Sequence, residues 1–546
     1  MSMKMIDTGG FPFPRLRDED YYYVDKTLLI KDILDGNPRG VYLFTRPRRF
    51  GKTTNLSMLN AFFNIKYKGN TWFDGLEISK YPEYEKYKNA FPVLYLNLKG
   101  TDAPNYDAFL AAMQSAVLDS LKKHLYLLDY DKVTKDEQLL FDALFTGTAS
   151  YEQLRTSVVK ITEILERYHG RKVVVLIDEY DRAVSDAFGT ESHKPMMEFL
   201  GVFLSPILKN NESLQMAYIT GIMQITKESI FSGLNNLKVN NVFSVESDER
   251  FGFTESEVKE LLSYYGNPEK FVEAKEWYDG YRFGDADVYN PFSIMNYVSD
   301  RFRPQRFWVN SGSDAPIKWL LRRTDMKCFA EILSLVNDES VIASIEPALT
   351  YSELGPNDSL YSLMVMSGYL KAVPVGDGLC SISIPNKEIL GIVGNIAKNI
   401  SPIDDRKFKL FVNSVLDCDA EGMTRHLQDI LSVGSYYNLS TELHYEAVVM
   451  TVLYSIISQY DVRSEYEEGN GRVDIIMKPK HEGTIPMIIE LKKTESEDKL
   501  ESESKDAIKQ IHDRKYYLNM HGKVILVGIA FWGKMPKTTI ETIVGL

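Results

Sequence analysis

A chain of 546 residues exceeds what one hydrophobic core can organise, so two to four domains are expected. With 44% hydrophobic and 25% charged residues it has the composition of a globular protein, and no run approaches the ~20 apolar residues needed to cross a bilayer. A net charge of −13 excludes a surface coated for nonspecific nucleic-acid binding, and Cys328, Cys380 and Cys418 are too few and scattered for a disulfide framework. The N-terminus lacks the apolar stretch of a signal peptide, so a cytoplasmic protein is expected.

The segment Asp18-Glu-Asp-Tyr-Tyr-Tyr-Val-Asp-Lys-Thr27 is aromatic and acidic, and an amphipathic stretch runs from it to Leu34. Asp35-Gly-Asn-Pro38 then reads as a turn. Val41 to Phe44 is a short apolar strand that breaks at an Arg/Pro cluster, and Gly51-Lys52-Thr53 opens a segment in which Leu56, Leu59, Phe62 and Phe63 mark one helical face. Strand, loop and helix in this order make a phosphate-binding loop, in which backbone N–H groups at a helix N-terminus cradle phosphates. Lys52 would reach the β/γ-phosphates and Thr53 would ligate Mg²⁺. In the motif G-x-x-x-x-G-K-[ST] the first glycine falls at position 46, which here is Arg46; a basic surface turn is the competing reading.

Phe91 to Leu98 reads as a second strand, followed by a helical stretch over about 105–169. Val173 to Ile177 is continuously aliphatic, as in a parallel strand covered on both faces, and ends in Asp178-Glu179. This has the Walker B form: Asp178 would hold Mg²⁺ and Glu179 would orient and deprotonate a water. Leu214 to Thr220 gives a fourth strand, with Thr220 placed to sense a γ-phosphate or simply to favour β structure. Arg48, Arg49 and Arg182 are candidates for stabilising transferred phosphoryl charge, or else surface arginines. The candidate nucleotide contacts are Arg46, Arg48, Arg49, Phe50, Gly51, Lys52, Thr53, Thr54, Asp178 and Thr220, on a doubly wound α/β domain spanning 1–250.

From about 250 helices dominate. Thr254 and Glu257 form a capping box, and Tyr369 to Ile384 reads as a hairpin turning at Gly376-Asp-Gly378. Residues 251–400 therefore suggest a helical or winged-helix lid, and Lys398 to Asp405 a boundary to a third domain, 401–546.

In that last domain Gly471-Arg-Val-Asp474 opens a strand with Val473, Ile475 and Met477 on one face and Asp474 on the other. Pro486 to Lys492 is a second strand, with Glu490 and Lys492 on one face and Ile489 and Leu491 on the opposite one. An Asp on one strand and Glu-x-Lys on its neighbour can bind a divalent cation and polarise a water, the lysine steadying charge on hydroxide or phosphate. Glu446 lies on the apolar face of a helix drawn from His444 to Ile457, where a charge calls for a metal or an ion pair. Ala507, Gln510, Arg514 and Tyr517 share a helical face that points to the site and a phosphate backbone.

Two resemblances follow from these residues. Arg46-Pro-Arg-Arg-Phe-Gly-Lys-Thr53 and Ile177-Asp-Glu-Tyr-Asp181, with Tyr23 to Thr27, Phe231 to Asn236, Tyr278-Asp-Gly-Tyr281, Tyr289-Asn-Pro-Phe-Ser293 and Ile384 to Glu388, resemble the bacterial AAA-ATPase-like family over about 5–390. That resemblance implies ATP as ligand and makes Arg46 a family variant. The set Glu446, Asp474, Glu490, Lys492 and Gln510 resembles a PD-(D/E)XK nuclease domain, which implies catalysis by Asp474, Glu490, Lys492 and Gln510, and metal held by Glu446, Asp474 and Glu490.

The expectation is an α/β protein: an ATP- and Mg²⁺-binding ATPase with Glu179 catalytic, coupled to a Mg²⁺- or Mn²⁺-dependent nuclease acting on DNA, in defence or mobile elements. The alternatives are a nucleotide-dependent switch or scaffold that binds without cleaving, and a small-molecule phosphotransferase. A homo-oligomer and a protein partner remain open.

Overall fold

The computed structural model describes residues 3–224, 237–308, 315–321, 326–336, 340–348, 358–400, 405–433, 442–453, 459–481 and 483–545. The motif Phe231 to Asn236 lies outside them, as does the end of the helix drawn to Ile457. The chain divides into two compact units. The first comprises Met1–Leu320 with Ile342–Leu390, and the second Leu321–Val341 with Gly391–Leu546. Among the described residues no helix is long and apolar enough to cross a membrane.

The first unit is built on five parallel strands, β1 (Val41–Thr45), β2 (Val93–Asn97), β3 (Val173–Asp178), β4 (Leu214–Gly221) and β5 (Leu237–Asn240), in the order β2-β3-β4-β1-β5. All of β1 and β3 is buried, as a parallel strand covered on both faces must be. Because β4 runs between β1 and β3, pairing Phe44 with Thr220 and Ile177 with Ile219, the ends of β1, β4 and β3 lie side by side. The expected 105–169 stretch is broken into helices Tyr106–Leu121, Lys135–Thr146 and Tyr151–His169, the last two opened by capping boxes at Thr134 and Ser150.

Beyond residue 250, Thr254 caps the helix Glu255–Tyr264: its hydroxyl accepts from Glu257 N and the Glu257 side chain accepts from Thr254 N. Helices Phe271–Tyr278 and Pro291–Ser299 flank a small hairpin, β6 (Tyr281–Phe283) and β7 (Ala286–Val288). The expected second hairpin is present as β9 (Lys371–Gly376) and β10 (Leu379–Ser383), extended by β8 (Val341–Ser344). Gly280 sits at φ +94, where a Cβ would lie 2.0 Å from the Pro385 carbonyl oxygen, so the close approach of the Tyr278–Tyr281 and Ile384–Glu388 segments requires glycine there.

The second unit is a mixed sheet of β11 (Tyr460–Glu468), β12 (Gly471–Pro479), β13 (Met487–Lys493), β14 (Gly522–Trp532) and β15 (Met535–Gly545), in sequence order. Only β13 and β14 are parallel, joined through the helix Leu500–Arg514. Ile475, Met477, Ile489 and Leu491 point to one face, packed with Tyr445, Val448, Val449 and Val452 of the helix Glu442–Leu453. Ile476 and Ile488 point to the other, packed with Ile508 and Ile511. Val473, expected with Ile475, belongs to this second cluster instead: Tyr516 closes over the start of the strand and its hydroxyl donates to Arg472 O.

Candidate functional site

At the β1 end the chain turns through a loop with left-handed residues at Arg49 (φ +68) and Gly51 (φ +79), and the helix Lys52–Phe63 begins immediately after. Left-handed residues between right-handed ones turn successive N–H groups toward one concavity, an anion-binding shape. Lys52 is buried, and its ammonium donates to the carbonyls of Arg46 and Pro47, 2.8 Å each. Burial lowers its pKa to about 8, opposed by Glu179, Asp181 and Asp178.

Beside it the Asp178 carboxylate is held at both oxygens. Oδ2 accepts from the Thr53 hydroxyl (2.8 Å) and Oδ1 from the Thr220 hydroxyl (2.5 Å), so three strand or helix ends meet on one carboxylate. Glu179, at φ +53, is the next residue; burial raises its pKa, Asp178 raises it further and Lys52 lowers it, a setting that suits a general base.

Sequence reasoning missed two neighbours. The Tyr95 hydroxyl, from β2, lies against Asp178, and burial followed by that carboxylate raises its pKa. Buried Asp181 accepts from Ile222 N (2.8 Å) and Met223 N (2.9 Å), fixing the chain after β4. The signal for Asp181 was its place in Ile177 to Asp181; Tyr95 gave none beyond a strand-favouring residue.

Several expected nucleotide contacts are committed to the protein instead. Arg46 is fully buried: Nη1 donates to Thr45 O (2.9 Å) and Asn240 O (3.0 Å), Nη2 donates to Asn240 Oδ1, and the guanidinium lies over the rings of Phe251 and Phe283. It ties β1 to β5 rather than pointing at a phosphate. Phe50 packs in the core against Tyr281 and Phe283. Arg49 lies over the Phe292 ring at 4.3 Å, and Arg182 pairs with Asp186 at 2.8 Å. Arg48 lines a recess with Ser185, Met223, Trp308 and Tyr369. Thr54 is in the first turn of the Lys52–Phe63 helix.

In the second unit β12 pairs with β13 from Met477–Met487 to Ile475–Ile489. Just beyond, Asp474 Oδ2 accepts from Leu491 N at 2.7 Å, and Glu490 accepts in turn from Asp474 N. The two carboxylates thus bridge the strands where they part. Glu490 is buried; Oε1 accepts from Gln510 Nε2, while Oε2 has no hydrogen-bond partner. Burial and then the Asp474 charge raise its pKa to about 8. The Lys492 ammonium donates to Gln510 Oε1, so Gln510 links lysine and glutamate. A buried, unpartnered carboxylate oxygen beside a second carboxylate fits a divalent cation.

The helix Glu442–Leu453, which carries buried Glu446, covers the Ile475/Ile489 face of the sheet, whereas Glu490 and Lys492 meet Gln510 of the helix Leu500–Arg514. Among the described residues no three Asp, Glu, His or Cys side chains converge closely enough to hold a metal ion. Of the expected helical face, Ala507 is buried, Arg514 ends the helix, and Tyr517 lies beyond it, its hydroxyl 3.3 Å from His512 Nδ1.

Residues 9–231 match the family described as predicted AAA-ATPase, and residues 440–540 match the PD-(D/E)XK nuclease superfamily. The chain thus carries an AAA-ATPase-like segment followed by one that matches the PD-(D/E)XK superfamily. An uncharacterized protein in the vnfD 5' region of Azotobacter chroococcum mcd 1 is 29% identical over 384 residues, 68% of this chain. The chain spans 64% of that relative's length.

The AAA-ATPase-like match ends before the motifs at 278–293 and 384–388, which the fold nevertheless brings to one place. Glu388 accepts from the Ser293 hydroxyl (2.7 Å) and Trp308 N (2.7 Å), and Asn386 Nδ2 donates to Asp279 O (2.7 Å).

Proposed function

We propose that this protein is a cytoplasmic ATPase whose nucleotide state controls a metal-dependent phosphodiesterase acting on nucleic acid, with DNA as substrate and a role in defence or mobile elements. The observation that carries the cleavage reading is the Asp474–Glu490 pair, with its orphaned buried oxygen and Lys492 beside it.

At the nucleotide site, Lys52 exchanges its two loop carbonyls for β- and γ-phosphate oxygens. Thr53 and Asp178 would hold Mg²⁺ there, which would supply positive charge at the β/γ-phosphates. Thr220 keeps the Asp178 carboxylate in place, and Glu179 takes the proton of the attacking water. At the second site, Asp474 and Glu490 would hold Mg²⁺ or Mn²⁺, which would supply positive charge to the phosphate and acidify a water. Lys492 adds positive charge toward the scissile phosphate, and Gln510 orients it. The test is DNA cleavage by the full chain with added Mg²⁺ or Mn²⁺. Loss of cleavage is expected in Asp474→Ala/Lys492→Ala, whereas undiminished cleavage in that double variant defeats the assignment.

A second reading is supported by the absence, among the described residues, of three converging Asp, Glu, His or Cys side chains. On that reading the domain binds nucleic acid or protein without cutting, as a nucleotide-dependent switch. It predicts ATP binding lost in Lys52→Ala and no phosphodiester turnover with any metal.

A further inference from the structure

Every residue between β1 and Lys52 beyond Thr45 meets a side chain or backbone from the second half of the first unit, save Gly51. The Arg46 guanidinium lies over Phe251 and Phe283. Pro47 lies so close to Gly368, at φ +87, that a Cβ there would sit 2.7 Å from the proline Cβ. The Arg48 carbonyl accepts the Trp308 indole N–H at 3.3 Å, Arg49 covers Phe292, and Phe50 packs on Tyr281 and Phe283. A loop that begins with arginine where the simplest motif has glycine is thus shaped from outside.

The Trp308 contact bears on anion binding. In a trans peptide the C=O and the next N–H point in opposite directions. Turning the Arg48 carbonyl out to the indole therefore turns the Arg49 N–H the other way, at the residue where the backbone enters the left-handed region. A carbonyl oxygen facing inward would repel phosphate instead.

Trp308 is itself held. It is buried, its ring meets Tyr369 edge-on at 4.8 Å, and its backbone N–H donates to Glu388 Oε1. Glu388 has no exposed surface, and its other oxygen takes the Ser293 hydroxyl. Burial shields these bonds from bulk solvent, so the position of the indole follows from the carboxylate.

We infer that Trp308 is a positioning residue of the phosphate-binding loop, fixing the Arg48 carbonyl outward, and that Glu388 positions Trp308. The inference rests on the reading of this loop as a nucleotide site, and it makes the nucleoside-triphosphate site depend on residues outside the matched 9–231 segment.

The test uses the full chain with two readouts, ATP·Mg²⁺ affinity and hydrogen exchange of the amides of residues 47–51 without ligand. The β3 amides serve as an internal reference. Trp308→Phe keeps a ring against Tyr369 but removes the donor. It is expected to weaken ATP about 3- to 10-fold and to speed exchange in 47–51 but not in β3. Glu388→Ala should do the same, and Glu388→Gln, which can still accept from Trp308 N and bond Ser293, should restore both. Unchanged loop exchange and affinity in Trp308→Phe overturns the inference, as does equal acceleration in β3, which marks a general loss of structure. If the unaltered chain binds no ATP while Trp308→Phe speeds exchange in the loop alone, the positioning role stands and the nucleotide reading falls.

Discussion

The Thr53 hydroxyl donates to Asp178 Oδ2 at 2.8 Å across 125 positions of sequence. With Thr220 on the other oxygen, the carboxylate is fixed between the start of the Lys52–Phe63 helix and the end of β4. Thr220→Val keeps the β-branched shape and removes one of these bonds. ATP binding should persist while phosphate release slows about 10-fold, the usual effect of losing a group that orients a metal ligand. Steady-state phosphate release checks this, and an unchanged rate means that Thr53 alone suffices.

Arg46→Gly restores the standard glycine, yet it should damage the protein. The substitution removes three hydrogen bonds and two ring contacts, and leaves the Asn240 side chain short of a buried partner. A loss of about 2–4 kcal/mol is expected in denaturant unfolding of the first unit. A variant as stable as the parent would show that Arg46 serves something other than the β1–β5 junction.

Glu490→Gln should uncouple stability from cleavage. Burial and the neighbouring Asp474 disfavour the Glu490 charge, raising its pKa to about 8. In metal-free protein the amide removes that conflict while keeping an acceptor for Gln510, so thermal stability should rise by about 1–3 kcal/mol. Cleavage should be lost. Calorimetry of the metal-free chain decides it: a lowered midpoint would mean that the charge is stabilised by a partner.

Glu388 gives a pH signature of its own. Burial raises its pKa from 4.5 to about 7, against the bonds from Trp308 N and Ser293. The Tyr278 and Tyr281 hydroxyls face it as further titratable groups. Between those two values the folded chain keeps a proton that the unfolded chain has released. This group's contribution to stability therefore falls as pH rises from about 4.5 to 7 and is flat above, by about 3 kcal/mol in all. Comparing unfolding of the parent and Glu388→Gln at pH 5 and pH 8 isolates it, since the glutamine variant should lack that part of the slope. Parallel slopes in both would contradict it.

Local features were legible in sequence. Aliphatic runs gave β1, β3 and β4, Thr254 and Glu257 gave a helix start, and the period of two put Glu490 and Lys492 on one face, where Gln510 meets them. What sequence did not give is set by distant partners. Arg46 in a basic cluster reads as a phosphate ligand until Asn240, Phe251 and Phe283 fold around it. The four residues of β5 are too few to stand out from the turns around them. The helix that carries Glu446 is apolar on several sides, Tyr445, Val448, Val449, Met450 and Val452 all being buried. Periodicity then does not fix which way a side chain points. Trp308 and Glu388 matter through each other, 80 positions apart, which no local pattern reports.

The most direct test of the whole account is the initial rate of DNA cleavage with Mg²⁺, with and without ATP, in the parent chain and in Lys52→Ala. If nucleotide state controls the C-terminal site, ATP changes the rate in the parent and leaves Lys52→Ala unaffected. Cleavage that responds equally to ATP in both, or to ATP in neither, would contradict the coupling of the two sites.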